Sequence, residues 1–191
     1  MRLGAPIVDM SFPHNWKAEV LAARPVILPA RSFVYPREAE EVERGALEIL
    51  VRPAGPAQPF LATCAVGFLD AAAPTGIWSA PDPAELCSVS GGYAYIIDTN
   101  EPQRFTMIPY RPVLGVHAVP NAELLLFVGH RNIFAWGAQG QAWETGKLSD
   151  EGLTIVAIDN NTLHGRGWHM MSDKETPFTV DLRTGAVLEG R

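Results

Sequence analysis

Four histidines offer most of the chemistry this sequence could perform. His130 and His169 lie 39 positions apart, His164 shares a short β-type run with His169, and His117 sits in the stretch before them. A neutral imidazole is the commonest metal ligand and the usual general base. Matching strand ends of two repeats can converge on one face, which would bring His130 and His169 together as a catalytic or ligating pair. The simpler reading is two exposed or turn-bonded histidines that match because a unit was duplicated, since no carboxylate stands at a ligand-like spacing to either. Asp98 and Asp181 also occupy matching places, each closing a β-type run. Two carboxylates could form an acid–base pair. More simply, each bonds the amides of its own turn. Asp181 therefore joins His117, His130, His164 and His169 as a weak catalytic candidate.

Other residue types add little chemistry. Tyr93, Tyr95, Phe127, Phe134, Trp136, Trp143 and Trp168 could stack on a ligand, but at alternate strand positions they read as core between sheets. Gly91-Gly92 and Gly165-x-Gly167 lack the strand-then-helix context of a phosphate cradle. Asn160-Asn161-Thr162 fits a glycosylation acceptor pattern and equally a hairpin turn. Cys64 and Cys87 have no CxxC spacing and no sequence-adjacent histidine, so they read as buried, reduced thiols. No cofactor and no metal is expected.

The elements that must position these residues repeat. Val116–His130 and Ile155–His169 each read as an apolar run, a polar turn and a second run opening on leucine, with Leu124 and Leu163 39 positions apart. Each then closes with a hairpin whose turn ends in glycine, Gly140 and Gly185. That offset is 45, and the extra residues are placed in a loop at Met171–Thr176. A weaker third copy spans Phe60 to Ile108, with Phe60–Phe68 as its first strand and Asp70–Glu85 as a long connection carrying Trp78, expected to pack down. A period of roughly 40 residues with four short strands is what a propeller blade looks like in sequence.

The hairpin Phe178-Thr179-Val180-Asp181-Leu182-Arg183-Thr184-Gly185-Ala186-Val187-Leu188 resembles the third-to-fourth-strand hairpin of quinoprotein-type and WD40-like blades. There an aspartate ends one strand and Thr-Gly makes the turn. The resemblance departs from the WD40 pattern, which has Gly-His before the strands and Trp-Asp after them. It implies an all-β, propeller-like architecture of three to four tandem four-stranded antiparallel units, and no particular activity. The alternative is an antiparallel β-sandwich with evenly spaced hairpins.

One domain over residues 1–191 is expected, with blade-like units at 60–110, 113–150 and 151–190. Residues 1–52 would pack on these as N-terminal strands, Val26–Leu28 and Gly45–Arg52 among them, with a short helix over Lys17–Ala23. A chain of 191 residues that is 47% hydrophobic can bury one good core. Its formal charge of −6, with no Lys/Arg cluster, disfavours nucleic acid and anionic membrane surfaces. No run approaches the ~18 apolar residues of a spanning helix, and no signal-like segment opens the chain, so a cytoplasmic location is expected. The expected function is a non-catalytic β-repeat interaction or binding module that engages a protein partner or a second copy. The alternatives are a small hydrolase or lyase using a histidine and a carboxylate, and a small-ligand binder with an aromatic pocket.

Overall fold

The computed structural model describes residues 5–37, 44–68 and 73–189. The fold is all-β: four small sheets, mostly antiparallel, with one short 3-10 turn at Pro120–Ala122 among the described residues. The chain divides into two compact units, Met1–Pro112 and Val113–Arg191.

Among the described residues the first unit holds nine strands. They are β1 (Ile7–Asp9), β2 (Trp16–Leu21), β3 (Ser32–Tyr35), β4 (Ala46–Pro53), β5 (Phe60–Ala65), β6 (Gly76–Ser79), β7 (Glu85–Ser90), β8 (Tyr93–Asp98) and β9 (Phe105–Met107). One sheet runs β1-β6-β7-β8-β9 and the other β2-β4-β5-β3. Strands β6 to β9 form an antiparallel meander, while β1 adds to β6 in parallel and β3 to β5 in parallel. Alternation explains the packing. Leu47, Ile49 and Val51 of β4 share one face with Phe60, Ala62 and Cys64 of β5, and they meet Leu86, Tyr95 and Ile97 of the facing sheet. Full burial of each large apolar side chain there stabilises by roughly 1.5–3 kcal/mol. Gly91 and Gly92, both with positive φ (55° and 79°), form the two-residue turn between β7 and β8.

Several expectations change in this unit. Lys17–Ala23 is no helix, because β2 occupies Trp16–Leu21. Its residues are good helix formers, but Trp16, Ala18 and Val20 face the core at period two and pair along β4, and that packing overrides propensity. Val26–Leu28 is a bend between prolines and not a strand. The expected Gly45–Arg52 strand is found as β4, and the solvent-exposed start that the sequence predicts for it at Glu41 to Glu43 lies outside the described residues. The long connection after Phe68 contains β6, so the first strand of this meander is β6 and not Phe60–Phe68. Trp78 lies on β6 and is 2% exposed, packed down as expected. Cys64 and Cys87 are free and buried, also as expected. Burial pushes the Cys64 thiol up to about 12 and Cys87 well above its usual value.

The second unit holds two sheets of identical order. One is β10 (Gly115–Val119), β11 (Leu124–Val128), β12 (Ile133–Gly137) and β13 (Gly140–Glu144). The other is β14 (Leu153–Ile158), β15 (Thr162–His169), β16 (Lys174–Asp181) and β17 (Val187–Glu189). Both are antiparallel meanders, as the repeat predicts, and they share a core of Leu124, Leu126, Ile133, Leu163, Phe178 and Val180. The extra residues of the second copy do not form a loose loop over Met171–Thr176. They lengthen β15 and β16 to 8 residues each, against 5 in β11 and β12, and Lys174–Thr176 lie inside β16.

Candidate functional site

The turn aspartates match in structure as in sequence. Asp98 Oδ1 accepts the Asn100 and Glu101 amides at 2.9 and 3.1 Å, and Asp181 Oδ1 accepts the Arg183 and Thr184 amides at 2.8 and 3.1 Å. The Arg183 amide, then that of Thr184 and the Arg183 charge, hold the Asp181 carboxyl below the usual range. A second matching device appears beside each turn. The indole of Trp143, on edge strand β13, donates to the Leu182 carbonyl at 2.7 Å. In the first unit the hydroxyl of Tyr35, on edge strand β3, donates to the Pro102 carbonyl at 2.7 Å. In both places an aromatic from one sheet's edge fastens the last turn of its neighbour.

The histidines separate. His117 is half-buried on β10, and burial lowers its pKa. His130 is exposed on the β11–β12 connection. His164 stands between two hydroxyls on the face of β15 opposite the core: Thr162 Oγ1 is 3.2 Å from Nε2 and Thr179 Oγ1 is 3.2 Å from Nδ1. Asp159 Oδ2 lies 3.4 Å from the same Nε2. Hydroxyl, imidazole and carboxylate thus stand in line, yet the Asp159 side chain is 71% exposed and Thr162 competes for its nitrogen.

His169 lies at the end of β15, where sequence reasoning missed its partners. Its Nδ1 is 4.0 Å from Asp150 Oδ2. Asp150 also receives a charged hydrogen bond from Lys147 and the Met170 amide at 2.8 Å, and its backbone carbonyl accepts from Arg131 Nε at 3.0 Å. Hydrogen bonding from Lys147, then from the Met170 amide, holds the Asp150 carboxyl below its usual range. The β13–β14 connection that carries Lys147 and Asp150 is pressed onto β15 at Gly167, where a Cβ would stand 2.3 Å from the Leu148 carbonyl oxygen. Beside this cluster opens a cavity of about 230 Å³ lined by Lys147, His169, Leu148, Pro177, Phe178 and Val187. It joins one cation-bearing rim to an apolar floor. Ser149, the nearest hydroxyl in sequence, has its single O–H within reach of the Gly152 and Trp168 carbonyls at 2.8 and 2.9 Å and accepts the Glu151 amide at 3.1 Å, so its bonds are to its own connection and to β15. The only sequence hint of this cluster was the Lys147/Asp150 charge pair in a turn-rich connection.

Among the described residues no three His, Cys, Asp or Glu side chains are grouped to hold a metal ion, and no helix is long and apolar enough to cross a membrane. No family model matches the chain, and no curated protein matches its sequence.

Proposed function

We propose that the chain is a non-catalytic β-repeat interaction module whose sheets are blade-like units serving as a rigid frame for exposed loops. The blade reading is supported by the two identical meanders of the second unit and by the matching aspartate caps and aromatic fasteners of both units. The observation that carries the binding role is where large apolar side chains meet solvent. Among the described residues the four most exposed stand on connections: Val26 and Ile27, beside Leu28, in the bend between β2 and β3, and Met170 and Met171 at the β15–β16 tip, where Met171 is 98% exposed; others, such as Val8, Val156 and Leu188, lie on strands β1, β14 and β17. Apolar groups gathered outside a core mark interaction sites. Two buried free thiols suit a reducing compartment. The test is proximity labelling in the cell of origin with wild type, Ile27→Asp, Met171→Asp and His169→Gln. Neighbours lost in either aspartate variant and kept in His169→Gln support the module. Neighbours unchanged by both aspartate variants overturn it.

A hydrolase reading has one observation in its favour, the Thr179–His164–Asp159 line. It requires ester hydrolysis that disappears in both Thr179→Ala and His164→Gln. Hydrolysis that survives either change removes that reading.

A further inference from the structure

We infer that the Arg24–Arg31 bend is a docking segment for a protein partner that offers an apolar groove rimmed by Asp or Glu. The inference rests on the interaction-module reading and names the partner's chemistry. Val26 is 102% exposed, Ile27 87% and Leu28 44%. Three consecutive aliphatic side chains in water are costly in a folded protein unless something covers them.

The segment is held ready for capture. Pro25 and Pro29 restrict the backbone on either side of the three residues. Its base is pinned: Ser32 Oγ donates to the Pro29 carbonyl at 3.0 Å, Arg31 Nη1 to the Gln58 carbonyl at 2.8 Å, and the Leu61 amide to the Arg31 carbonyl at 3.0 Å. A preorganised segment loses less conformational freedom on binding than a free loop.

Charge chooses among the occupants. Arg24 and Arg31 bracket the aliphatics, the segment contains no acidic residue, and among the described residues no carboxylate pairs with either guanidinium. In a chain of net charge −6 this is a local positive rim, complementary to an acidic one. The cavity beside β3 of a second copy, lined by Ser32, Phe33 and Tyr35, lacks that acidic rim, because Arg37 stands at it. A membrane fits poorly too. The segment has no Trp or Tyr to anchor at the lipid interface and only two cations.

The experiment places a photo-crosslinking benzoylphenylalanine at Ile27, and separately at Met171, in the full chain inside its cell of origin. Mass spectrometry then maps the adducts. Support requires an adduct from position 27 on aliphatic residues of one other protein, with Asp or Glu within a few residues. That purified protein must bind wild type about tenfold or more tighter than Ile27→Asp, and must weaken with Arg24→Glu and with added salt. Ile27 is solvent-exposed, so the aspartate variant should keep the wild-type melting temperature. Overturning results are an adduct to the chain itself, indifference to Arg24→Glu, or wild-type binding to vesicles of equal parts phosphatidylcholine and phosphatidylserine that Ile27→Asp abolishes. An adduct from position 171 alone removes this inference and leaves the module reading standing. No adduct from either position removes both.

Discussion

Asp150 and Asp181 each do a structural job that depends on charge. Both carboxyls are held below their ordinary range in the folded chain. A depressed folded pKa means the stabilisation is fully present above the unfolded value, about 3.9 for aspartate, and is lost as pH falls through the folded value. Acid unfolding of wild type should therefore steepen below about pH 4. Asp150→Asn and Asp181→Asn should each flatten that limb in denaturation curves recorded from neutral pH downward. Gly167→Ala tests a different constraint. Its Cβ would meet the Leu148 carbonyl oxygen at 2.3 Å, a backbone atom that cannot swing away, so a loss of about 1–3 kcal/mol is expected in urea denaturation. Trp143→Phe keeps most of the ring but leaves the Leu182 carbonyl without its 2.7 Å donor, at a cost of about 1–3 kcal/mol. The aspartate caps could be read from sequence because the device is local: a carboxylate and amides two and three residues on. The Lys147–Asp150–His169 cluster could not, because it joins a connection to the end of a strand that only the fold brings near.

Among the elements, β16 shows how an exposed sheet margin is managed. It extends over Lys174–Asp181, but β17 pairs only at Thr179 and Val180. The Asp181 amide points toward the β17 side, bonding the Ala186 carbonyl at 2.9 Å. Every second residue does the same along a regular strand, so the next outward donors belong to Thr179, Pro177 and Glu175. Proline has no N–H, so the bare part of this edge lacks a donor where an incoming strand would need one. Pro177→Thr restores that donor and should produce concentration-dependent self-association by size exclusion or sedimentation. A variant that stays monomeric would show that the edge is protected by other means. The elements themselves were unevenly legible. The meanders β10–β13 and β14–β17 could be read because each turn joins neighbours in sequence. Strand β2 read as a helix because its partner β4 lies beyond β3, so local composition was the only visible signal. Strand β6 was hidden between proline-rich segments, with one tryptophan to mark it.

At the scale of the molecule, the N-terminal stretch is woven into the first unit. Deleting residues 1–52 would remove β1, β2, β3 and all but the last residue of β4, leaving β5 without either sheet neighbour. The expected product is insoluble or aggregated, because Phe60, Ala62 and Cys64 lose Trp16, Tyr35, Leu47, Ile49 and Val51 from their shared core; a soluble, folded, monomeric truncation would contradict this. The same weaving sets a timetable during synthesis on the ribosome. Strand β1 cannot dock until Gly76–Trp78 have been made, and β3 must wait for Leu61–Cys64. Strands β10 to β17, by contrast, each find a partner one turn away. Sequence-distant pairing is slow because the intervening chain must first be closed into a loop. Refolding followed by pulsed hydrogen exchange should therefore protect amides of β11 and β15 before those of β1 and β3. A newly made chain would hold β1 open until residues 76–78 emerge, the longest wait for a partner among its described strands.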